Sequence, residues 1–382
     1  MAYLDRHPRA RWAAPVVAAA VAVGGGLALG QTGAGASTGL PPKTAEQLLV
    51  ALQQARPQPL SGTVRQEVDL GLPDLSALGG AVSSPDGAAG SNPLALLAGS
   101  HTWRVWYADP QHARVSLVDG TSEQAVVRNG RDVWQWSSAD QSVHHVQIPA
   151  TLPAGGPEVS PSAGPQPGPQ ALAQQVLAAL DPSTQVSASS TDTVAGRAAY
   201  GLVLTPRSPD TLVGSVRLSL DAVTSLPLAA SVYAKGAANP ALDVRFTALD
   251  LGTPAASTFT FTPPPGAKVT EEMTPTPPGV SEQDATAPGV DQPRLAGTGW
   301  STVAVGTVPG GSASFGWAPN GQPTGPGGAS GALLGALPKV SGSWGSGHLL
   351  STTLVTAVLT DDGRYAVGAV PPSALYAALS RP

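Results

Sequence analysis

Regular alternation of apolar and polar residues over positions 200–269 constrains the fold of this 382-residue chain more than any other feature. Successive side chains on a β-strand point to opposite faces, so each alternating run predicts a strand with one apolar and one polar face. The region is therefore predicted to form an antiparallel meander whose apolar face must be covered by another layer. The apolar positions of its four runs are Tyr200, Leu202 and Leu204, then Val216, Leu218 and Leu220, then Leu242, Val244 and Phe246, and finally Phe259 and Phe261.

Two amphipathic helices are predicted to lie near that face. Thr44 and Gln47 form a capping-box pattern, and the apolar residues that follow recur at helical spacing. A second helix is predicted at residues 170–180, after a loop rich in proline and glycine. The apolar faces include Leu48 and Leu52 on the first helix, and Leu172 and Val176 on the second.

Further strands are predicted before the meander, one at residues 60–70 and about five at residues 101–148, where Asp119-Gly120 and Asn129-Gly130 are hairpin-turn dipeptides. Residues 71–100 lie between them and are rich in glycine, serine and proline, yet they retain several leucines. A loop of this length in a compact domain is either disordered or functional. Its leucines predict a flap that rests on an apolar surface.

The first 36 residues are predicted to direct export. Three arginines precede an apolar run at residues 12–29, and Ala34-Gly35-Ala36 matches a signal-peptidase site before Ser37. The run is long for a cleaved signal and short for a membrane span, so both a cleaved signal and a retained N-terminal anchor stay open. In either case the remainder is predicted to be extracytoplasmic, secreted or anchored to the cytoplasmic membrane.

Composition and motifs argue against several classes of function. The net charge of −5 gives no basic excess for binding nucleic acid, and the absence of cysteine excludes disulfides, thiol catalysis and thiolate metal sites. The G-x-S-x-G match at residues 35–39 lies at the signal site, without the strand and helix that such a nucleophile needs. We therefore predict a protein that is not an enzyme and has no cofactor, catalytic residue or metal site.

Three charged pairs could suggest a site, and each has a simpler interpretation. His144 and His145 are neighbours on a predicted strand, so only one of them can face a given site, and exposed histidines are expected. Asp361-Asp362 precedes Gly363, which is ordinary turn chemistry. Glu271-Glu272 is interpreted as part of a solvated linker.

The C-terminal part is predicted to be a separate small module. Residues 270–294 hold five prolines and five acidic residues, which is typical of a linker. Within residues 295–382, strands are predicted at 300–308, 349–359 and 365–370, and a closing helix at 372–379. Trp300, Trp317 and Trp344 are large for so small a unit, so the module is predicted to dock on the preceding domain.

Three motifs resemble known families: Val194-Ala195-Gly196-Arg197-Ala198-Ala199-Tyr200, the strand 216–221 with Leu226-Pro227-Leu228, and Phe259-x-Phe-x-Pro-Pro-x-Gly266. Together with the order of the elements over residues 43–269, they are similar to LolA-type lipoprotein carriers and to the N-terminal domain of the RseB/MucB family of sigma-factor regulators. The resemblance implies a mainly β (α+β) fold for residues 37–269, an unclosed and strongly curved antiparallel β-barrel plugged by helices. It also implies a cavity that takes acyl chains.

The leading hypothesis is a carrier that binds acyl chains of lipids or lipoproteins. The C-terminal order of strand, turn, strand and helix resembles RseB, so the alternative is a sensor of envelope lipids that acts through a membrane-anchored partner, either an anti-sigma factor or a transport component. The apolar residues predicted to line the cavity are Leu48, Leu52, Val64, Val68, Leu96, Leu97, Trp103, Val105, Trp134, Trp136, Leu172, Val176, Val216, Leu218, Leu220, Val244 and Phe246.

Overall fold

The computed structural model describes residues 40–71, 99–120, 122–148, 168, 169, 173, 183–273, 293–307 and 337–381. Several sequence-based predictions concern residues outside these ranges and stay predictions. They are the export segment, the flap with Leu96 and Leu97, the helix side chains Leu172 and Val176, the linker residues 274–292, and Trp317.

Twelve of the described strands form one large sheet. They are β1 Leu60–Val68, β2 Gly99–Asp109, β3 His112–Asp119, β4 Ser122–Asn129, β5 Asp132–Ser137, β6 Ser142–Gln147, β7 Thr184–Val194, β8 Arg197–Pro206, β9 Val213–Asp221, β10 Pro227–Ala234, β11 Pro240–Asp250 and β12 Lys268–Met273. Their order is β12-β6-β5-β4-β3-β2-β1-β11-β10-β9-β8-β7, and every neighbouring pair is antiparallel except β12 and β6. Because β12 and β7 are the two edges, the curved sheet is unclosed, as predicted.

Helix α1, Ala45–Gln54, packs on this sheet. The Gln47 backbone N–H donates to Thr44 Oγ1 at 3.3 Å, and the Thr44 N–H donates to Gln47 Oε1 at 2.9 Å, so the predicted capping box is formed. Leu48 and Leu52 are buried on the face that meets the sheet. The sequence therefore fixes both where this helix begins and which side it buries.

In the described residues of the C-terminal module, a second sheet is accompanied by one helix, α2 Pro372–Leu379. Its strands are β13 Arg294–Ala296, β14 Val303–Thr307, β15 Lys339–Gly342, β16 Gly345–Ser351, β17 Thr356–Thr360 and β18 Arg364–Gly368, in the order β13-β14-β18-β17-β16-β15. Val303, Val358 and Leu375 belong to one buried cluster between the sheet and α2. The predicted closing helix is present with the predicted bounds.

The module docks on the large sheet, as its large tryptophans led us to expect. Trp300 is 1% exposed, and its indole Nε1 donates to Thr184 Oγ1 at 2.5 Å. A second contact is a backbone hydrogen bond, in which the Leu212 N–H donates to the Ala369 carbonyl at 2.8 Å. Buried apolar contact and backbone hydrogen bonds thus hold the two sheets together.

Two predicted strands of the module differ from the structure. Residues 349–359 form parts of two strands, β16 and β17, separated by a turn at 352–355 in which Thr352 Oγ1 accepts from the Val355 N–H at 2.9 Å. Thr353 in this turn donates its N–H to the Leu70 carbonyl at 2.9 Å, so the turn is also a docking contact. Trp300 lies in a 3-10 turn, Gly299–Ser301, and the strand begins only at Val303.

The predicted last strand of the meander is also wrong. Residues 256–259 form a 3-10 turn, and residues 260–267 pair with no described strand. Prolines at 254 and 263–265 remove the N–H groups that a ladder needs. The meander ends with β11. The next strand, β12, pairs with β6 at the far edge of the sheet and extends to Met273, four residues into the predicted linker.

Candidate functional site

One face of the large sheet, here called the inner face, carries a continuous apolar stripe. Leu202 pairs with Leu218, Leu218 with Ala230, and Ala230 with Val244, so these four side chains share one face. On the next strand, Val64 pairs with Phe246. The stripe continues through Trp103, which pairs with Val64, to Leu117 on β3. The predicted apolar face therefore extends across seven strands, from β8 to β3.

Helix α1 and the C-terminal module cover the β8–β10 part of the stripe. Within the shared buried cluster, neither Leu218 nor Leu220 is more than 1% exposed. Five of the predicted site residues come together here: Leu48, Leu52, Val216, Leu218 and Leu220. Ala173, from the region predicted as the second helix, is buried in the same cluster together with Trp300, Leu354 and Ala369 of the module.

A second cluster continues the stripe over β11, β1 and β2. Five more of the predicted residues meet in it: Val64, Trp103, Val105, Val244 and Phe246. Leu242 packs against both clusters and links them. The Trp103 indole Nε1 donates to Gln66 Oε1 at 3.1 Å, so its polar atom is satisfied inside an apolar surface. Val68 is buried at the end of β1, where it pairs with Leu242.

The apolar stripe ends at β4. Val115 pairs with Val126, Val126 with Gln135, and Gln135 with His144, and the last two side chains are exposed. The inner face therefore changes from apolar to polar along one row of the sheet.

Trp134 and Trp136 do not lie where the sequence predicted. Trp134 pairs with Val127, and Val127 with Arg114, which lies on the opposite, outer face from Trp103. There Phe261 approaches the Trp134 ring at 5.5 Å between centroids. Alternation correctly predicted that Trp134 and Trp136 share a face. That face is the outer one, whereas the sequence analysis placed both residues in the inner-face cavity.

A polar arrangement that the sequence did not predict lies on the same outer face. His145 Nδ1 is 2.5 Å from Glu271 Oε2 on β12, and His145 Nε2 is 3.0 Å from Asp132 Oδ1 on β5. The imidazole stacks on Trp134 at 3.7 Å. Burial opposes the charged ring, but hydrogen bonds to Glu271 and Asp132 outweigh it and raise the pKa of His145 above its ordinary value. The expectation of exposed histidines is wrong for His145, whose side chain is 13% exposed, whereas Glu271 is 65% exposed, as expected, but lies on β12.

Two of the three motifs that carry the sequence resemblance, residues 194–200 and 216–228, meet at the end of the β8–β9 hairpin. Asp221 is 2% exposed and accepts from Arg197 Nε at 2.6 Å and Nη2 at 3.1 Å. Its carboxylate also accepts from the Thr224 N–H at 2.8 Å. Burial opposes ionisation, but these hydrogen bonds prevail and lower the pKa of Asp221. The arrangement holds the end of the hairpin in place.

Two further features concern metal binding and membrane insertion. Within those ranges, no group of three or more histidine and acidic side chains has the arrangement of a metal site. Of the helices in that part of the chain, none has the length and apolar character to cross a bilayer.

Comparison with known proteins found no matching family model and no matching curated protein. Among solved structures, the MucA/MucB complex of Pseudomonas aeruginosa is 18% identical with a TM-score of 0.41, covering 88% of this chain and 96% of that one. A LolA superfamily protein from Nitrosomonas europaea is 13% identical with a TM-score of 0.22, covering 58% and 99%. The two groups are those that the sequence resembles. At these identities and TM-scores, the likenesses carry no conclusion about ligands or partners.

Proposed function

We propose that this chain is a non-enzymatic, extracytoplasmic protein that binds an acyl chain of a lipid or lipoprotein against the inner face of its large sheet. The observation that carries the proposal is the continuous apolar stripe from Leu202 to Leu117. The residues of the stripe are buried in two adjoining apolar clusters. An acyl chain needs no polar anchor on such a surface, since each buried methylene contributes about 0.8 kcal/mol.

The burial of the residues along the stripe limits the routes by which a ligand can enter. Leu48, Leu52 and Leu218 are each 5% exposed or less, so an acyl chain cannot slide past them without moving a covering element. Helix α1 and the C-terminal module are the covers that the structure describes on the β8–β10 part. Binding is therefore coupled to displacement of one of them.

A second candidate function, a sensor, is favoured by the position of the module. Trp300, Leu354 and Ala369 are buried in the same cluster as the two leucines of α1. A simple carrier has no need of a second folded unit inside its binding surface. If an acyl chain displaces the module, ligand binding changes the surface offered to a membrane-anchored protein partner, such as an anti-sigma factor or a transport component.

Face-resolved quenching tests acyl binding directly. Two variants of residues 37–382 keep one tryptophan each, either Trp103 on the inner face or Trp134 on the outer face, with phenylalanine at the other tryptophan positions. Bromine quenches indole fluorescence only at short range, so 9,10-dibromostearate is expected to quench Trp103 and leave Trp134 bright. Equal quenching of both, or of neither, would overturn acyl binding on the inner face.

A third single-tryptophan variant separates sensor from carrier. It keeps Trp300, which is buried against Thr184 in the docked state. The sensor predicts that saturating stearate shifts Trp300 emission to the red, as the indole moves into water. The carrier predicts an unchanged Trp300 spectrum while Trp103 is quenched by the brominated chain.

A further inference from the structure

The outer face of the large sheet has a groove of about 450 Å³. It plays no part in the proposed acyl binding, which takes place on the inner face. It lies where β1 is flanked by β2 and β11, and it is open to solvent. Two rows of register partners form its floor: Asp250, Ser61 and Trp106 in one, and Ala248, Thr63 and Arg104 in the other. Gly62 and Leu249 complete the lining.

A β-bulge gives the groove its shape. The register between β1 and β11 shifts between Thr63 and Val64, so Thr63 pairs with Ala248 while Val64 pairs with Phe246. The extra residue, Thr247, bends the strand locally. At Gly62, an added Cβ would lie 2.6 Å from the Ala248 carbonyl oxygen, so the two strands approach closely only because this residue is glycine.

The groove combines an aromatic ring with polar groups on both sides. Trp106 is half-buried, and the Arg114 guanidinium lies 5.5 Å from its ring centroid. Arg104, two residues before Trp106 on β2, is exposed, and Asp250 lies across β1 from Trp106. The hydroxyls of Ser61 and Thr63 lie between. Such a set offers an aromatic ring with hydrogen-bond donors and acceptors on adjacent strands, which lie about 5 Å apart.

Two buried polar atoms lie next to the groove. Ser116 pairs with Arg104 and Arg114 pairs with Trp106, so both side chains continue the same two rows. Ser116 is 1% exposed, and neither its Oγ nor the Nε of Arg114 has a hydrogen-bond partner among the described residues. Buried polar atoms without partners are rare in folded proteins. Both atoms are buried beside the groove and are not part of its lining.

We propose that this groove binds an acidic oligosaccharide, with one sugar ring stacked on Trp106. The axial C–H groups of a pyranose are apolar and slightly positive, which matches the negative face of an indole. Its hydroxyls both donate and accept hydrogen bonds, which matches carboxylate, guanidinium and hydroxyl groups side by side. An acidic sugar is favoured over a neutral one because Arg104 and Arg114 outnumber Asp250 as charges around the ring.

The site is independent of the proposed acyl chain. It lies on the opposite face of the sheet from Val64 and Trp103, because adjacent residues on a strand point to opposite sides. A saccharide bound here leaves the inner stripe and the docking of the C-terminal module untouched. An envelope glycan would thus hold the protein in place while lipid is exchanged on the other side.

Calorimetric titration of residues 37–382 with hexagalacturonate and with neutral maltohexaose tests the proposal. Trp106→Ala is expected to weaken hexagalacturonate binding at least tenfold, and Arg104→Gln severalfold. The matched control is Tyr233→Ala, which removes another outer-face ring beneath an arginine, Arg217 at 4.4 Å, outside the groove. It is expected to bind as the wild type does, and the three variants are compared only where their thermal unfolding is cooperative.

The outcomes separate a built site from general charge attraction. Saccharide binding that is unchanged in Trp106→Ala, or equally weakened in Tyr233→Ala, overturns the site. Equal affinity for maltohexaose overturns the preference for an acidic sugar. Dibromostearate quenching in the variant that keeps only Trp103, with Arg104→Gln or Tyr233→Ala added, serves as a separate readout, so loss of acyl binding and loss of saccharide binding are distinguished.

Discussion

The two halves of the large sheet bury opposite faces. In β9, the inner-face residue Leu218 is 1% exposed, whereas its outer neighbour Arg217 is exposed. In β4, the outer-face residue Val127 is 0% exposed, whereas its inner neighbour Val126 is half-buried. The same alternation of side chains therefore produces a core on one side of the sheet in one half and on the other side in the other half.

The difference follows from the connections. Helix α1 comes just before β1 and covers the inner face of β8 and β9. The segment after β11 instead crosses to the outer face, where Phe259 is buried beside β3 and β4, before the chain returns as β12. Alternation states which residues share a face, and the path of the covering segments decides which face becomes a core.

The largest expected effects come from placing a carboxylate on each buried face. Leu218→Asp and Val127→Asp each bury an uncompensated charge and are expected to lower the free energy of unfolding by about 3–5 kcal/mol. Arg217→Asp and Val126→Asp, one residue away on the same strands, are expected to cost far less. Urea unfolding of the four variants measures this. A loss for Val126→Asp as large as that for Val127→Asp would show that the halves do not differ.

Truncation of the outer-face cover is the next test. Phe259 is 1% exposed, so Phe259→Ala leaves a cavity and is expected to cost about 3–5 kcal/mol of unfolding free energy. The control is Phe261→Ala, because Phe261 is only partly buried beside Trp134. Hydrogen exchange should increase in β3–β6 and not in β8–β10. Uniform loss of protection across the sheet would mean that the two cores form one cooperative unit.

A smaller effect is expected where the module joins the inner-face core. Thr184→Val keeps the shape of the side chain but removes the acceptor for the Trp300 indole N–H. An unsatisfied buried donor costs about 1–3 kcal/mol. Thr356→Val is the matched control, since its Oγ1 donates to the Val370 carbonyl within the module. Trp300 emission should shift to the red at lower urea concentration only in Thr184→Val, and a shift of equal size in the control would contradict this.

Local rules explain what the sequence predicted well. Thr44 and Gln47 satisfy each other's backbone groups regardless of the rest of the fold, so the start of α1 was predictable. Leu218 shares a face with Leu202 and Val244 because the side-chain period of a strand is two. Ten of the predicted site residues meet in two adjoining clusters for the same reason.

The rest depended on contacts between distant segments. Glu271 and His145 are 126 positions apart, and the parallel pairing of β12 with β6 leaves no mark in either segment alone. Phe259 and Phe261 alternate as a strand would, yet prolines on both sides deny that segment a ladder. Trp134 and Trp136 were assigned to the inner face because alternation gives no sign of which face a row joins.

The smallest expected effect concerns the histidine that fixes the edge of the outer-face core. His145 bridges Asp132 on β5 and Glu271 on β12, and its pKa is raised in the folded protein. A group whose pKa is higher when folded stabilises the fold fully below its unfolded pKa of about 6.5. That stability is lost as the pH rises through the folded pKa, since a neutral imidazole can donate to only one of the two carboxylates.

The wild type is therefore expected to exceed His145→Gln in unfolding free energy by about 1 kcal/mol near pH 6, because Glu271 is 65% exposed and solvent screens the pair. The difference should shrink toward pH 9. His144→Gln changes the neighbouring inner-face histidine, keeps the bridge intact, and should retain the wild-type pH dependence. Hydrogen exchange of β12 should follow the same titration, slow at low pH after correction for the intrinsic rate. A difference that grows with rising pH would reverse the sign of the linkage, and then the two carboxylates would not be what holds β12 to the outer-face core.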